Sequence, residues 1–324
     1  MAIAPSTPTS GRRYVINDRA TRRSRREGVA PSRIVLPPGN WNLILDFLAE
    51  RFTTIPRSEI EARMGRGDVT DSQGSPIAPS RHYSPHLEIY YYRTIEAEPR
   101  IPFDEVILFR DEHLIAVDKP HFLPVTPSGH YLQETLLIRL IRALDIDTLA
   151  PMHRIDRETA GVVLFTIEPR VRGQYQQLFA QRAVLKHYEA IAPYRPDLQM
   201  PYRRRSRLVT GEPFMRMQED GTARDAEHNA DTQIELLEVF PGETLARYRL
   251  TPSTGKKHQL RVHMASLGIP ILNDSLYPEV HSQSQLDANG YAAPLKLLAR
   301  DIAFKDPING AERCFQSRFT LSVD

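Results

Sequence analysis

The sequence predicts an α+β fold: one large mixed, mostly antiparallel sheet with flanking helices, preceded by a small α+β module. The main observation is that many short apolar runs with strand character are interspersed with only a few segments of helical periodicity. The predicted strands and helices do not alternate strictly along the chain, and this mixed order favours a single mixed sheet. A second observation is the dipeptide Asn309-Gly310 between two apolar runs, which is typical of a β-hairpin.

Length and composition indicate the class of protein. With 324 residues, the chain can form a catalytic domain of about 200 residues and a smaller accessory piece. The sequence contains no run of about 18 apolar residues, the length that a membrane-spanning helix requires. The N-terminus turns polar at once and lacks a secretory signal, so we expect a cytoplasmic protein. The single cysteine, Cys314, cannot form an intramolecular disulfide or a thiolate zinc site, and we expect it to be buried.

Residues 1–38 are predicted to be a flexible basic arm. They are rich in Pro, Ser, Thr and Arg and lack apolar periodicity, so they cannot bury enough surface to offset the entropy of ordering. Eight arginines and two acids occur from Arg12 to Arg33, and a second basic cluster occupies residues 203–207. Both clusters suit contacts with phosphate groups. A solvated tail and an exposed loop explain them equally well.

Residues 39–100 are predicted to form a small accessory module. Apolar residues recur at helical spacing from Trp41 to Leu48, and a second helix is expected from Ser58 to Met64 with Ser58 as its N-cap. Aromatic and β-branched residues then predict a strand over Leu87–Tyr92.

Residues 101–324 are predicted to form the catalytic domain. A hairpin is expected at its start, where two apolar runs flank four polar residues. The predicted strands are 106–109, 114–117, 162–166, 188–192, 232–239 and 245–250, and the predicted helices are 132–144, 172–183 and 260–267.

A polar cluster lies directly before the predicted strand 162–166. In it, Asp156 has Arg154 on one side and Arg157 on the other. Nearby cations keep a carboxylate ionised, as a nucleophile requires. A surface turn with ion pairs explains the same composition, so the residues alone leave both interpretations open.

A second polar cluster, Thr254–His263, opens a predicted helix. His258 and Arg261 are three residues apart and share one helix face, and Gly268 is a suitable C-terminal cap. The spacing of His258 and His263 is not that of a zinc-protease helix. Because no cysteine can complete a site either, no metal is expected.

Several segments resemble, in order, the motifs of the RluA-type pseudouridine synthase family. They are Leu114–Pro120 with Pro127-Ser128-Gly129, then His153–Gly161, then Thr254–His263 with Gly268–Tyr277. The segment His153–Gly161 reads H-R-I-D-R-E-T-A-G and is similar to the family signature H-R-L-D-R-x-T-S-G, whose aspartate is catalytic. The resemblance extends over residues 102–323 and implies the pseudouridine synthase fold.

The resemblance also implies roles for individual residues. Asp156 matches the catalytic aspartate, Tyr188 the active-site tyrosine and Arg261 the basic partner of the aspartate. The alternatives are that Tyr188 is an ordinary strand aromatic and that Arg261 only caps or pairs on its helix. Arg154 matches the residue that enters the space left by a flipped base, although an arginine there could equally pair with phosphate. Other motif residues are expected to bind the substrate: Lys119, His153, Arg157, Thr159, His258 and Gln259.

The implied activity is isomerisation of a specific uridine to pseudouridine in structured ribosomal RNA or tRNA, by a monomer without cofactor or metal. The segments Lys256-Lys257, Asn273 and Leu297–Ala299 depart from the family pattern, so substrate contacts are in doubt there, although no catalytic group is lost. The accessory module is loosely similar to the small RNA-binding module that often precedes this catalytic domain. Two rival functions stay open: a nucleic-acid glycosidase, which usually needs two acidic groups, and a non-catalytic RNA-binding protein.

Overall fold

The computed structural model of the chain describes residues 28–93, 98–129, 131–213, 215–224, 227–282 and 290–323. Internal contacts divide the chain into two compact units, Met1–Thr94 and Ile95–Asp324. Most of the predicted basic arm, residues 1–27, lies outside the described residues. In the part of the chain that is described, no helix is long and apolar enough to cross a membrane.

The N-terminal unit contains a three-stranded antiparallel sheet and two helices. Its elements are β1 (Ser32–Val35), α1 (Ile44–Arg51), α2 (Arg57–Gly65), β2 (Val69–Asp71) and β3 (Glu88–Tyr91), with the strand order β1-β3-β2. The apolar residues of α1 predicted from the helical spacing, Ile44, Phe47 and Leu48, are buried in the core of this unit. Both predicted helices and the predicted strand are therefore confirmed.

Two predictions for this unit are wrong. The predicted arm extended to residue 38, but β1 pairs with β3, and Ile34 and Leu36 reach the core because their side chains are apolar. Ser58 is not the N-cap of α2. The helix begins at Arg57, directly after Pro56, whose φ of −55° is already close to the helical value.

The C-terminal unit is built on a ten-stranded mixed, mostly antiparallel sheet, as predicted. Its strands are β4 (Val106–Arg110), β5 (Leu114–Lys119), β6 (Ala150–Pro151), β7 (Ala160–Thr166), β8 (Leu185–Pro193), β9 (Tyr202–Ser206), β12 (Ala230–Val239), β13 (Leu245–Pro252), β14 (Leu297–Lys305) and β15 (Glu312–Gln316). The main path is β4-β5-β7-β14-β8-β13-β12-β9, while β6 pairs with β7 and β15 with β14. A separate two-stranded sheet consists of β10 (Leu208–Thr210) and β11 (Met217–Glu219).

Three described α-helices belong to this unit: α3 (Leu136–Leu144), α4 (Arg172–Ala180) and α5 (Gln259–Ser266), and a short 3-10 helix, Pro169–Val171, precedes α4. The helix predicted over 260–267 is confirmed as α5, and its apolar residues Leu260 and Met264 pack on apolar residues of β8, β12 and β13. Gly268 follows this helix with a φ of +74°, which suits the predicted cap. The predicted hairpins β4–β5 and β14–β15 are also confirmed.

The basic cluster at residues 203–207 is the edge strand β9 with the residue after it, and not an exposed loop. Its ion pairs are Arg203–Asp231 at 2.7 Å, Arg204–Glu219, and Arg207–Asp220 at 3.8 Å. Only Arg205 is exposed without an ion pair to any described residue, so it alone of the cluster is left for a phosphate. The expected burial of Cys314 is wrong as well, because this side chain is exposed on β15.

Gly161 determines how closely β7 and β14 approach in the middle of the sheet. It has a φ of +113°, and a Cβ at this position would lie 2.2 Å from the carbonyl oxygen of Ala299. Ala299 in turn pairs with Tyr188 of β8, so the three residues form a row across adjacent strands. The row brings the chain segment just before β7, which carries Asp156, close to Tyr188.

Candidate active site

A cavity of about 990 Å³ opens where the segment before β7, the strand β8 and the start of α5 meet. Among the described residues that line it, Asp156 is the only carboxylate. The cationic residues of its wall are Arg154, Arg157, Arg182, Lys186, Lys256, Lys257 and Arg261. Such a cavity attracts polyanions and presents a single carboxylate to them.

Nine of the ten site residues predicted from the sequence line this cavity, and Lys119 does not. Asp156 lies in the loop between β6 and β7, where its carbonyl oxygen accepts a hydrogen bond from the Thr159 N–H at 3.2 Å. Its side chain is 28% exposed, so the carboxylate is open to a ligand but is not in bulk solvent.

Arg261 is buried on α5 and contacts three carboxylates. Its Nη1 lies 3.5 Å from Oδ2 of Asp156, its Nη2 lies 2.8 Å from Glu158, and its Nε and Nη2 donate to both oxygens of Asp274 at 2.8 and 2.6 Å. Burial alone would lower the pKa of Arg261, but the hydrogen bonds to Asp274 and the attraction of the other two carboxylates raise it overall. The guanidinium is therefore a fixed positive charge beside Asp156.

Glu158 and Asp274 are functional residues that the sequence analysis did not single out. Asp274 also accepts hydrogen bonds from the backbone N–H of Leu276 and Tyr277, at 2.9 and 3.1 Å. Glu158 also accepts a hydrogen bond from Ser275 at 2.5 Å. Both acids occur inside the recognised motifs, which was the available signal. Together they leave only one end of the Arg261 guanidinium to face Asp156.

Asn273 replaces a glycine of the family pattern beside this ion-pair cluster. Its φ is +62°, a left-handed conformation that asparagine tolerates better than most residues with a side chain. Its side chain donates a hydrogen bond to the carbonyl oxygen of Pro294 at 3.1 Å. The replacement therefore keeps the turn that places Asp274.

Tyr188 lies on β8 and is half-buried against the core beneath α5. Burial raises the pKa of its hydroxyl, and the negative charge of Asp156 raises it further. The side chain therefore stays protonated at neutral pH. It combines a ring that can stack on a base with a hydroxyl close to the carboxylate.

Lys119 lies beneath the cavity. Its side chain is fully buried, and its Nζ donates to the carbonyl oxygens of Pro120, Leu123 and Arg157 at 2.9, 2.7 and 3.1 Å. Burial lowers the pKa of Lys119 to about 7, although the charge of Asp156 opposes this shift. The predicted substrate contact does not fit this position, because a buried ammonium with three acceptors cannot reach a ligand. Lys119 instead holds the loop that carries Asp156.

Gln259 lines the cavity, but its amide group is fully engaged. Its oxygen accepts from the Thr254 hydroxyl at 2.8 Å and from the Lys256 N–H at 3.1 Å, and its nitrogen donates to the Asp231 carbonyl at 3.0 Å and the Thr232 hydroxyl at 2.9 Å. An amide has two donors and two acceptor lone pairs, so no capacity is left for a ligand. The predicted substrate contact is corrected to a positioning role: Gln259 holds the first turn of α5 against β12.

His258 begins α5 with a φ of +55°, and its Nδ1 lies 2.9 Å from the hydroxyl of Tyr277. That hydroxyl accepts a hydrogen bond from the Met217 N–H at 2.7 Å, so its own proton is directed to Nδ1. Burial lowers the pKa of His258, although Asp156 opposes the shift. The residue therefore lines the cavity as a neutral imidazole.

His153 is likewise neutral. Its Nε2 accepts a hydrogen bond from the Leu164 N–H at 3.2 Å, and its ring stacks on Phe179 with 5.1 Å between the centroids. Burial, with a smaller effect of Lys186, lowers the pKa of His153 to about 3. This histidine is therefore an uncharged part of the cavity wall, held in place by Leu164 and Phe179.

Arg154 and Arg157 flank Asp156 in different ways. Arg154 is exposed, and its side chain has no partner among the described residues, so it is free to contact a ligand. Arg157 donates to the Tyr131 hydroxyl at 2.9 Å and lies 5.5 Å from the centre of that ring. Neither arginine forms an ion pair with Asp156; the cation that does so is Arg261.

The sequence and the fold match proteins of one family. The family model for RNA pseudouridylate synthase matches residues 113–266. The tRNA pseudouridine synthase C of Pasteurella multocida is 31% identical over 211 residues, which are 62% of this chain and 86% of that protein. The ribosomal large subunit pseudouridine synthase D of Zymomonas mobilis is 28% identical over 290 residues, 83% of this chain and 88% of that protein.

Among solved structures, human RNA pseudouridylate synthase domain containing 1 matches with a TM-score of 0.54, over 70% of this chain and 89% of the human chain. At 22% identity this likeness shows the fold alone. The family model and the sequence relatives place the chain among enzymes that modify RNA. The chain belongs to the RluA-type pseudouridine synthases, which are isomerases that act on RNA, as the three motifs predicted.

Proposed function

We propose that the enzyme isomerises a specific uridine in structured ribosomal RNA or tRNA and that Asp156 is its catalytic carboxylate. The relatives named above carry both kinds of RNA in their names, which supports these two substrate classes. One observation carries the role of Asp156: among the described residues that line the cationic cavity it is the only carboxylate, and it lies 3.5 Å from a buried guanidinium.

The mechanism begins with extrusion of the target nucleotide, because a uracil stacked in RNA cannot reach a cavity wall. Extrusion costs a few kcal/mol, and insertion of Arg154 into the vacated space would compensate part of that cost. Asp156 then either attacks the anomeric carbon C1′, which displaces the uracil and gives an ester, or removes the proton of the neighbouring C2′, which expels the uracil and gives a glycal. The glycosidic bond breaks, and the uracil turns within the cavity so that its C5 faces the sugar.

Formation of the new carbon–carbon bond leaves a proton on C5 that must be removed. Tyr188 is placed to stack on the uracil and to assist this proton loss, while Arg261 keeps Asp156 ionised and oriented. Each step moves only protons and one base. That the reaction needs no cofactor or metal, and that the enzyme works as a cytoplasmic monomer, remain predictions from the sequence.

A nucleic-acid glycosidase is the rival reaction. It would need a second carboxylate facing the bond that breaks. Glu158, which shares Arg261 with Asp156, does not line the cavity and is held by Arg261 and Ser275. This arrangement favours isomerisation, in which the base is retained.

The test uses total RNA labelled with tritium at C5 of uridine, prepared from a strain without the enzyme. We expect the protein to release tritium to water and to produce pseudouridine in the RNA, detected as the nucleoside after digestion. Release of free uracil would establish the glycosidase instead. Tight RNA binding without either product would establish a non-catalytic RNA-binding protein.

The N-terminal unit is proposed to be an RNA-binding accessory module; the sequence predicted it as residues 39–100, and β1 extends it to Ser32. Its arginines offer limited support, because most of them pair with acids. The pairs are Arg33–Glu88, Arg57–Asp46, Arg63–Glu59, Arg66–Asp68 and Arg81–Asp71. A chain without residues 1–94 should bind RNA several-fold more weakly and keep its maximal rate. Unchanged binding would contradict the proposal.

A further inference from the structure

Lys186 is a cation in the cavity wall without a matching anion. It lies on β8 two residues before Tyr188, and alternate residues of a strand share one face, so both side chains point to the cavity. Its Nζ makes a single hydrogen bond, to the carbonyl oxygen of Thr254 at 3.3 Å. It forms no ion pair with any residue that the structure describes.

The surroundings of Lys186 favour an anionic ligand. Burial lowers the pKa of the ammonium, and no carboxylate opposes the shift. A half-buried cation is stabilised when an anion supplies the missing partner. The neighbouring loop contacts the ammonium through the Thr254 carbonyl oxygen, and Gly255, which has no side chain, adds no further group over it.

Arg182 stands in the same wall and is also unpaired. It follows the end of α4 with a φ of +59°, in the position where helices usually place glycine. Its N–H and that of Ala183 donate back to the last turn of the helix, to Phe179 at 3.2 Å and Leu178 at 2.8 Å. An arginine that accepts this backbone conformation, with an exposed side chain and no described partner, suggests a functional constraint.

We propose that Lys186 and Arg182 form a phosphate site of the enzyme, in which Lys186 binds the phosphodiester group of the flipped uridine and Arg182 a phosphate nearer the cavity mouth. The inference rests on the proposed function, in which Tyr188 stacks on the uracil. Residues two apart on a strand are about 6.6 Å apart, and this spacing matches the reach from a pyrimidine to the phosphate of its own nucleotide. None of the sequence motifs singled out either residue.

The test measures RNA binding apart from catalysis. Filter binding with undermodified total RNA gives an apparent Kd and its dependence on salt, and tritium release from the same RNA gives the maximal rate with enzyme in excess. The variants are Lys186→Gln, Lys186→Arg and Arg182→Gln. Lys305→Gln is the matched control, because Lys305 is exposed at the end of β14 and does not line the cavity.

We expect Lys186→Gln to raise the apparent Kd about 10- to 100-fold, the loss of one charge-assisted hydrogen bond, and to reduce the slope of log K against log salt by about 1. Lys186→Arg should restore most of the binding. Arg182→Gln, at an exposed position that cannot disturb folding, should reduce the same slope with a smaller loss of affinity. Lys305→Gln should change neither the apparent Kd, nor the salt slope, nor the maximal rate.

An unchanged Kd and salt slope in both Gln variants would overturn the phosphate site. A Lys186→Gln variant that binds normally but reacts slowly would overturn it too, because Lys186 would then act in the chemistry. Failure of the unaltered enzyme to release tritium would refute the proposed function, while the binding measurements would still decide the phosphate site.

Discussion

The Nη1 atom of Arg261 lies 3.5 Å from Oδ2 of Asp156. This distance is longer than those from Nη2 of the same arginine to Glu158 and Asp274, which are 2.8 and 2.6 Å. The guanidinium is thus anchored by two acids that do not line the cavity, and it presents its remaining edge to Asp156, which does. An arginine held in this way needs no reorganisation when Asp156 reacts, which is the condition for effective electrostatic support. Its planar fork is essential, because a lysine cannot contact three carboxylates in the same geometry.

Replacement of Arg261 should therefore affect both stability and activity. Arg261→Met leaves three carboxylates around an apolar side chain and should destabilise the fold by about 3–5 kcal/mol. Arg261→Lys should fold better but lose tritium release by about 100-fold. Urea unfolding and the tritium assay measure the two effects. Arg249→Met is the control, because Arg249 pairs with Glu235 on the surface and its loss should cost less than about 1 kcal/mol. Equal losses in Arg249→Met and Arg261→Met would refute this view of the cluster.

Two glycine substitutions test the close contact between β7 and β14. Gly161→Ala places a Cβ 2.2 Å from the carbonyl oxygen of Ala299 at a φ of +113°, so we expect a loss of about 3 kcal/mol or more. Gly173→Ala lies in α4 with nothing within 4 Å of its Cβ and should stabilise the protein by about 0.5–1 kcal/mol. Thermal or urea unfolding checks both. A Gly161→Ala variant as stable as the unaltered chain would contradict the contact.

Three histidines predict a loss of stability in mild acid. Burial lowers the pKa of His121 to about 4, of His153 to about 3 and of His263 to about 4. These values lie below the unfolded value near 6.5, so the unfolded chain takes up protons first and the folded state loses stability as the pH falls from about 6.5 towards 4. Each group contributes up to about 1.4 kcal/mol per pH unit.

The measurement is urea unfolding between pH 7 and pH 5, a range above the titration of most carboxylates. His153→Gln should reduce the steepness of the decline by the contribution of one group, although it also weakens the protein at neutral pH. A free energy of unfolding that stays constant over this range would show that the histidines are accessible to protons in the folded state.

Arg154, the exposed arginine two residues before Asp156, should contribute to base flipping. Arg154→Ala should lower the single-turnover rate on native RNA by about 10-fold or more, because the vacated stack is no longer filled. Arg205→Ala removes an exposed, unpaired arginine that does not line the cavity and should change the rate by less than about twofold. Comparable losses in both variants would assign Arg154 to general attraction of RNA rather than to base flipping.

Much of the fold could be predicted because periodicity reports local structure. The helical spacing of Leu260 and Met264 predicted the buried face of α5, and Asn309-Gly310 predicted the turn before β15. The strand β9 was missed since its arginines conceal the strand pattern. Their acidic partners, Asp231 and Glu219, come from other strands, and a charge count along the chain does not reveal such pairs.

The main residues of the candidate site could be predicted from the sequence, but the burial and the hydrogen bonds of the residues around them could not. The motifs pointed to Asp156 and Arg261, and the structure brings them together. The burial of Lys119 and the four hydrogen bonds of Gln259 depend on how distant segments pack. The sequence therefore suggested substrate contacts for two residues that, in the structure, hold neighbouring segments in place. Lys186 belongs to a strand whose pattern explains its own folding and gave no functional signal.

The central claim, that Asp156 performs the chemistry, is tested most directly by Asp156→Asn, which keeps the size of the side chain and removes its charge. With RNA labelled at C5 of uridine and enzyme in excess, we predict a loss of tritium release of at least about 1000-fold, with RNA binding within about threefold of the unaltered enzyme. Asp197→Asn, which alters a surface pair with Arg195, should retain full activity. Substantial tritium release by a folded Asp156→Asn enzyme would contradict the account.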